Sequence, residues 1–116
     1  MTFKTSEQNP YFEEILDVDP KEILDHQENL ELIDVRQEEE YFGELGHVPG
    51  SRLLTLDMLP AQIQSLSQKK PIIFICRSGG RSANAASLAH AHGYKNVYNM
   101  KGGMILWNEY GLDVEY

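Results

Sequence analysis

Short apolar segments rich in β-branched residues alternate along the chain with polar segments that favour helices. The apolar segments predict strands over residues 30–36, 52–56, 71–75 and 96–100. Helices are predicted over residues 20–28, 57–67, 82–90 and 104–110, with a short helical turn over 37–41. Residues 11–18 fit either a strand or a helix. Strands that alternate with helices over short loops predict an α/β fold with a mostly parallel sheet and helices on both faces.

The ends of several elements carry recognisable capping residues. Asp19 suits the N-cap of the first helix, Pro20 suits its first turn, and Glu22 could complete a capping box. Ser82 suits the N-cap of the helix over 82–90, and Gly93 its C-terminal cap. Residues 1–10 are polar and without pattern, which predicts a flexible lead-in to a single domain over residues 11–116.

Composition and charge narrow the classes of function. The net charge of −8 argues against nucleic acid or an anionic membrane as a partner. A single cysteine excludes an internal disulfide and a cysteine-based metal cluster. No apolar run is long enough for a membrane span and no basic-then-apolar leader is present, so the expected location is cytoplasmic.

The loop after the strand at 71–75 combines the features of an anion site. Cys76 stands where this strand ends, Gly79 and Gly80 follow, and Arg77 and Arg81 flank them. The glycines let the loop amides turn inward, and the start of the next helix attracts negative charge. Nearby arginines and a helix N-terminus favour the thiolate, which is the reactive form of cysteine. The loop therefore predicts a nucleophilic cysteine that acts on an oxyanion.

A lone cysteine is often an inert, buried apolar residue, which is the alternative to a functional role here. Ligands of open α/β sheets bind at the carboxyl ends of the strands, where Cys76 is predicted to lie. The combination of that position with two arginines, two glycines and a helix start favours function.

Several motifs in a fixed order resemble the single-domain rhodaneses, a family of sulfurtransferases. The resemblance runs from about residue 11 to residue 114. Its motifs are residues 32–36, Glu40-Tyr41, residues 46–51, the loop 76–81, and Gly102-Gly103-Met104 followed by Trp107 and Gly111. It implies a three-layer α/β/α fold, and sulfane-sulfur transfer through a persulfide on Cys76. The same resemblance implies that the backbone amides of the loop cradle the sulfur and that both arginines hold the donor, the residues being Arg77, Ser78, Gly79, Gly80 and Arg81.

The implied activity is a thiosulfate sulfurtransferase with ping-pong chemistry. The partners would be a small sulfur donor and a thiol or cyanide acceptor, with an acceptor protein as a further option. Rhodanese-like phosphatases have a loop one residue longer than the six residues from Cys76 to Arg81, so phosphatase and arsenate reductase activity are less favoured. The other alternative is a non-enzymatic docking or sulfur-carrier module.

Other polar residues are given structural roles. His47 is expected to fix its loop through a hydrogen bond, Asp34 and Arg36 to brace the loop after their strand, and Glu40 to pair with Arg36. Met104 and Trp107 are expected to pack in the core, with Gly102 and Gly103 near the pocket. His90 and His92 do not share a helix face, and we expect neither a metal nor an organic cofactor.

Overall fold

A six-stranded sheet forms the centre of the fold, as seen in a computed structural model that describes residues 2–116. Its strands are β1 (Glu7–Gln8), β2 (Leu16–Val18), β3 (Glu31–Asp34), β4 (Arg52–Leu53), β5 (Ile72–Ile75) and β6 (Val97–Met100). Their spatial order is β1-β2-β6-β5-β3-β4. β1 pairs with β2 in the antiparallel sense, and the other four pairings are parallel. The predicted mostly parallel sheet is therefore confirmed.

β5 lies between β6 and β3, and all of its side chains are buried. Its residues alternate between the two faces of the sheet, as the period of a strand requires. Ile72 and Phe74 join one hydrophobic cluster with the alanines of the helix after this strand (residues 80–91), whereas Ile73 and Ile75 join another with Trp107. Both faces of the sheet are thus covered, which explains why this strand reads as a continuous apolar run.

Five α-helices accompany the sheet in the described part of the chain. They are α1 (Pro20–Asp25), α2 (Glu38–Tyr41), α3 (Leu59–Gln62), α4 (Gly80–Ala91) and α5 (Gly103–Glu109), with 3₁₀ turns at Gln27–Asn29 and Ile63–Ser65. α3 is shorter than the predicted 57–67 because the chain tightens into the 3₁₀ turn. There the Ser65 hydroxyl donates to the Gln62 carbonyl over 2.8 Å, a local bond that competes with the helical pattern. None of these helices has the length and apolarity needed to cross a membrane.

The first residues depart from the predicted flexible lead-in. Phe3 is only 3% exposed and packs edge-to-face on Tyr98, with ring centroids 4.9 Å apart. The carboxylate of Glu22 accepts hydrogen bonds from the backbone amides of Lys4 and Thr5, so it does not form the predicted capping box, although Asp19 caps α1 as expected. The packed part of the chain therefore begins well before residue 11, because one buried ring and one carboxylate attach this segment.

Candidate active site

The predicted strand, loop and helix around the cysteine are all present. β5 ends at Ile75, Cys76 follows and is 1% exposed, and α4 begins at Gly80. Gly79 is the N-cap of α4 with φ of +107°, a conformation that residues with a Cβ rarely adopt. The left-handed turn at Gly79 brings its own amide back to the sulfur, with 3.1 Å between the Gly79 nitrogen and Cys76 Sγ.

Ser82 has a different place from the one predicted. Because α4 begins at Gly80, Ser82 is the third residue of the helix and not its N-cap. Its hydroxyl is fully buried and lies 3.2 Å from Cys76 Sγ. Within residues 2–116, the Gly79 amide and the Ser82 hydroxyl are the two groups in hydrogen-bond contact with the sulfur.

The remaining loop amides are open. The N–H groups of Arg77, Ser78, Gly80 and Arg81 form no hydrogen bond with any other described residue. They stand at the N-terminus of a helix of twelve residues, where the helix dipole favours a negative group. The loop thus offers unpaired donors beside a buried sulfur.

The two arginines of the loop have different surroundings. Arg81 forms a bidentate ion pair with Glu40 of α2, with N···O distances of 2.7 and 2.8 Å. The predicted pairing of Glu40 with Arg36 is therefore wrong, because Arg36 turns inward to Asp34. The charge-assisted bonds from Arg81 lower the pKa of Glu40 to about 2, and the same bonds raise the pKa of Arg81.

Arg77 is exposed and has no ion-pair partner in residues 2–116. It lines a small cleft of about 230 Å³ together with Glu39, Glu44 and Leu45. The guanidinium of Arg77 is therefore available to an oxyanion, whereas that of Arg81 is already engaged by a carboxylate.

Buried polar residues brace this end of the sheet as predicted. Arg36 forms two contacts of 2.8 Å, one to the Asp34 carboxylate and one to the Gly46 carbonyl. His47 is buried, its Nδ1 lies 2.8 Å from the Tyr41 carbonyl oxygen, and its ring stacks on that of Tyr41. These contacts fix the loop at 43–51, which is the role expected for both residues.

The start of α5 holds the carboxyl end of β5. The amide of Met104 donates to the Cys76 carbonyl over 2.9 Å, and that of Ile105 donates to the Arg77 carbonyl over 3.0 Å. A Cβ at Gly103 would overlap the backbone of Cys76 and Arg77, so this approach requires a glycine. The expected proximity of Gly102-Gly103 to the pocket is confirmed, as is the burial of Met104 and Trp107.

A further polar group near the sulfur was not predicted. Asn99 of β6 contacts both Ser82 and Gly79, and it is joined in turn to Asp17 and Asn9. Asn99, Asp17, Asn9 and Gly79 border a cleft of about 520 Å³ beside the loop. Asn99 sits near the carboxyl end of a strand next to β5, and that position was the feature of the sequence that could have revealed it. Residues 2–116 hold no group of three His, Cys, Asp or Glu side chains arranged for a metal ion.

Known proteins resemble this chain in sequence and in structure. The Rhodanese-like domain matches residues 19–110. YtwF of Bacillus subtilis is 38% identical over 87 residues, which are 75% of this chain and 82% of that protein. The thiosulfate sulfurtransferase GlpE of Pseudoalteromonas translucida is 34% identical over 86 residues, which are 74% of this chain and 79% of that protein. A rhodanese-related protein of Thermoplasma volcanium superposes with a TM-score of 0.79 at 24% identity, covering 85% of this chain and 96% of that one.

The structural match confirms the predicted α/β fold of the rhodanese type. The sulfurtransferase relatives support sulfur transfer as the general chemistry. With the family match extending over most of its length, this chain belongs to the rhodanese-like domain family.

Proposed function

We propose that this protein takes a sulfane sulfur from a donor such as thiosulfate onto Cys76 and passes it to a thiophilic acceptor. The observation that carries the proposal is the hydrogen-bonding environment of the sulfur. Cys76 Sγ accepts a hydrogen bond from the Gly79 amide over 3.1 Å, and the other four amides of the loop are unpaired within residues 2–116. Such donors stabilise negative charge on a thiolate, and on the outer sulfur of a persulfide, without having to rearrange.

The first half-reaction moves one sulfur atom onto the enzyme. The Cys76 thiolate attacks the outer sulfur of thiosulfate and forms a new S–S bond. The S–S bond of thiosulfate breaks, and sulfite leaves with the bonding electron pair. Cys76 then carries a persulfide whose terminal sulfur is negatively charged, and the open amides of Ser78 and Gly80 are suited to hold it.

The second half-reaction returns the enzyme to its starting state. A nucleophile such as cyanide or a thiolate attacks the terminal sulfur, and the Cys76 thiolate leaves with the electrons of the persulfide bond. The single cysteine of this chain leaves no second thiol to resolve the persulfide internally. An external acceptor is therefore part of the proposed cycle.

Arg77 is the residue assigned to the sulfonate end of the donor. It is exposed beside the loop and carries a planar fork that suits an oxyanion. Arg81 was expected to share this task, but its guanidinium is bound to Glu40. We therefore assign Arg81 to holding the loop against α2.

The test is thiosulfate:cyanide sulfurtransferase activity, with intact mass after thiosulfate alone. Wild type should form thiocyanate and gain one sulfur, and Cys76→Ala should do neither. Arg77→Ala should raise KM for thiosulfate, whereas Arg52→Ala, an exposed arginine whose guanidinium pairs with Glu31 at the start of β3, should leave it unchanged.

Other outcomes would favour other functions. A persulfide that forms but is not passed to cyanide or small thiols would favour a sulfur carrier that needs a protein acceptor. No added sulfur from thiosulfate or from other sulfane donors would overturn the proposal. Hydrolysis of an aryl phosphate would then favour a phosphatase, and its absence a docking module.

A further inference from the structure

One buried asparagine contacts both residues that touch the sulfur. Asn99 is 2% exposed and lies in β6, next to β5 in the sheet. Its Nδ2 donates to the Gly79 carbonyl over 3.2 Å, and its Oδ1 accepts from the Ser82 hydroxyl. These are the two residues that contact the sulfur, with Gly79 N and Ser82 Oγ lying 3.1 and 3.2 Å from Cys76 Sγ. A single side chain thus ties together the two sides of the sulfur site.

The direction of the Asn99 amide is fixed from the neighbouring strand. Asp17 of β2 is the register partner of Asn99, and its Oδ1 accepts from Asn99 Nδ2 over 2.9 Å. The same oxygen accepts from Asn9 Nδ2 over 2.9 Å. Because Asp17 Oδ1 accepts from two amides here, the NH₂ group of Asn99 faces Asp17 and its oxygen faces Ser82. The alternative flip would place two acceptors against each other.

We propose that Asn99 is a positioning residue for the sulfur site, and that Asp17 sets its direction. Asn99 holds the Gly79 peptide so that its amide meets the sulfur, and it holds the Ser82 oxygen against the sulfur. The inference rests on the proposed role of Cys76 as the atom that carries sulfur. It adds residues 17 and 99, which lie far from the loop in sequence, to the machinery of that site.

The physical reason is preorganisation. The Gly79 backbone is in a left-handed conformation that the loop alone does not enforce, since glycine populates several backbone regions at little cost. Ser82 has one hydroxyl proton, and because Asn99 Oδ1 can only accept, that proton points to Asn99 while the hydroxyl oxygen is held 3.2 Å from Cys76 Sγ. Without Asn99, the Gly79 peptide and the Ser82 hydroxyl can adopt other orientations. They must then return to the productive orientation during the reaction, which raises its barrier.

The first test compares rates of persulfide formation in a set of variants. Asn99→Ala should lower kcat/KM for thiosulfate by roughly 10- to 100-fold, which is less than the loss of a direct donor because the effect passes through Gly79 and Ser82. Asp17→Asn keeps an oxygen that accepts from Asn99 and should retain most of the rate, whereas Asp17→Ala should not. Asn99→Ala should lower kcat/KM by a smaller factor in a Ser82→Ala background than in wild type. The reason is that part of the effect of Asn99 passes through its contact with Ser82.

Asn108→Ala is the matched control. Asn108 is a partly buried asparagine on α5 whose Nδ2 also donates to two carbonyls, those of Leu45 and Met104, and it contacts neither the sulfur nor Ser82. A loss of thermal stability in Asn108→Ala with an unchanged rate would separate stability from positioning. An equal loss of rate in Asn108→Ala and Asn99→Ala would overturn the inference.

The second test does not require sulfur transfer at all. Hydrogen exchange of the Gly79 amide, followed by NMR on the reduced protein, reports whether that amide is held at the sulfur. Asn99→Ala should speed this exchange by about tenfold or more, and Asn108→Ala should not. Unchanged exchange would refute the positioning role even if activity falls. If wild type takes up no sulfur, the proposed function fails while the exchange result still decides the role of Asn99. If Asn99→Ala does not fold, Asp17→Ala gives the same comparison.

Discussion

Glu40→Gln tests the ion pair between Glu40 and Arg81, which joins the loop at residues 76–81 to α2. The substitution keeps the size of the side chain and removes its charge. A pKa of about 2 for Glu40, against an ordinary value of 4.5, corresponds to about 3.4 kcal/mol at 1.36 kcal/mol for each pH unit. Glu40 is 29% exposed and Arg81 is 39% exposed, so solvent screens part of this interaction. We therefore expect Glu40→Gln to lower the free energy of unfolding by about 1 to 1.5 kcal/mol at pH 7.

The pH dependence has a defined sign. Because folding lowers the pKa of Glu40, its contribution is complete above pH 4.5, the ordinary pKa, and is lost as the pH falls from there towards 2. Urea unfolding of wild type and Glu40→Gln should therefore give curves that differ at pH 7 and converge near pH 2. Glu39→Gln is the matched control, since Glu39 is an exposed residue of the same short helix and forms no ion pair in the described chain.

Two results would contradict this account of the ion pair. One is equal stability of Glu40→Gln and Glu39→Gln at pH 7, which would mean that the pair contributes nothing beyond the loss of one surface charge. The other is a difference between wild type and Glu40→Gln that stays constant down to pH 2, which would assign the effect to packing and not to charge.

Three further predictions concern residues that hold the site, or the start of the chain, in place. Arg36→Met should cost about 3 to 5 kcal/mol in urea unfolding, because it leaves the Asp34 carboxylate buried and unpaired. Gly103→Ala should reduce both stability and persulfide formation, since its Cβ would overlap the backbone of Cys76. Gly111→Ala is the control, also at positive φ but in open space; it should lower the free energy of unfolding by about 1 kcal/mol and leave activity unchanged. Phe3→Ala should speed proteolysis of the first residues, because their one large buried ring is lost.

Features that depend on neighbouring residues were predictable from the sequence. The run Ile72–Ile75 is apolar on both faces because β5 is covered on both faces. The loop from Cys76 to Gly79 was predictable because an apolar strand pattern ends before it and an alanine-rich helical pattern begins after it. Even here the exact start of α4 was missed, since a left-handed Gly79 can cap a helix without a polar side chain, and Ser82 was assigned to the cap that Gly79 provides.

Features that depend on distant residues were not predictable in the same way. Arg81 and Glu40 are 41 positions apart, and Asn99 and Asp17 are 82 positions apart. Spacing along a helix favoured Arg36 as the partner of Glu40. The sheet order instead brings α2 next to the loop at residues 76–81, so Glu40 pairs with Arg81. Arg36 binds Asp34, two residues away in the sequence. The choice between Arg36 and Arg81 as the partner of Glu40 depends on the order of the strands in the sheet. No short segment of a single sequence specifies that order.

The sulfur site therefore combines local chemistry with support from three other parts of the fold. The Cys76 thiol, the open amides and the glycine turn all lie within residues 76–82. That segment is held by Glu40 of α2 through Arg81, by Asn99 of β6 through Gly79, and by the first amides of α5 through the carbonyls of Cys76 and Arg77. A glycine-rich loop is entropically costly to fix, and these contacts offset that cost. It follows that substitutions at residues 40 and 99 should alter the reactivity of Cys76 although neither residue touches its sulfur.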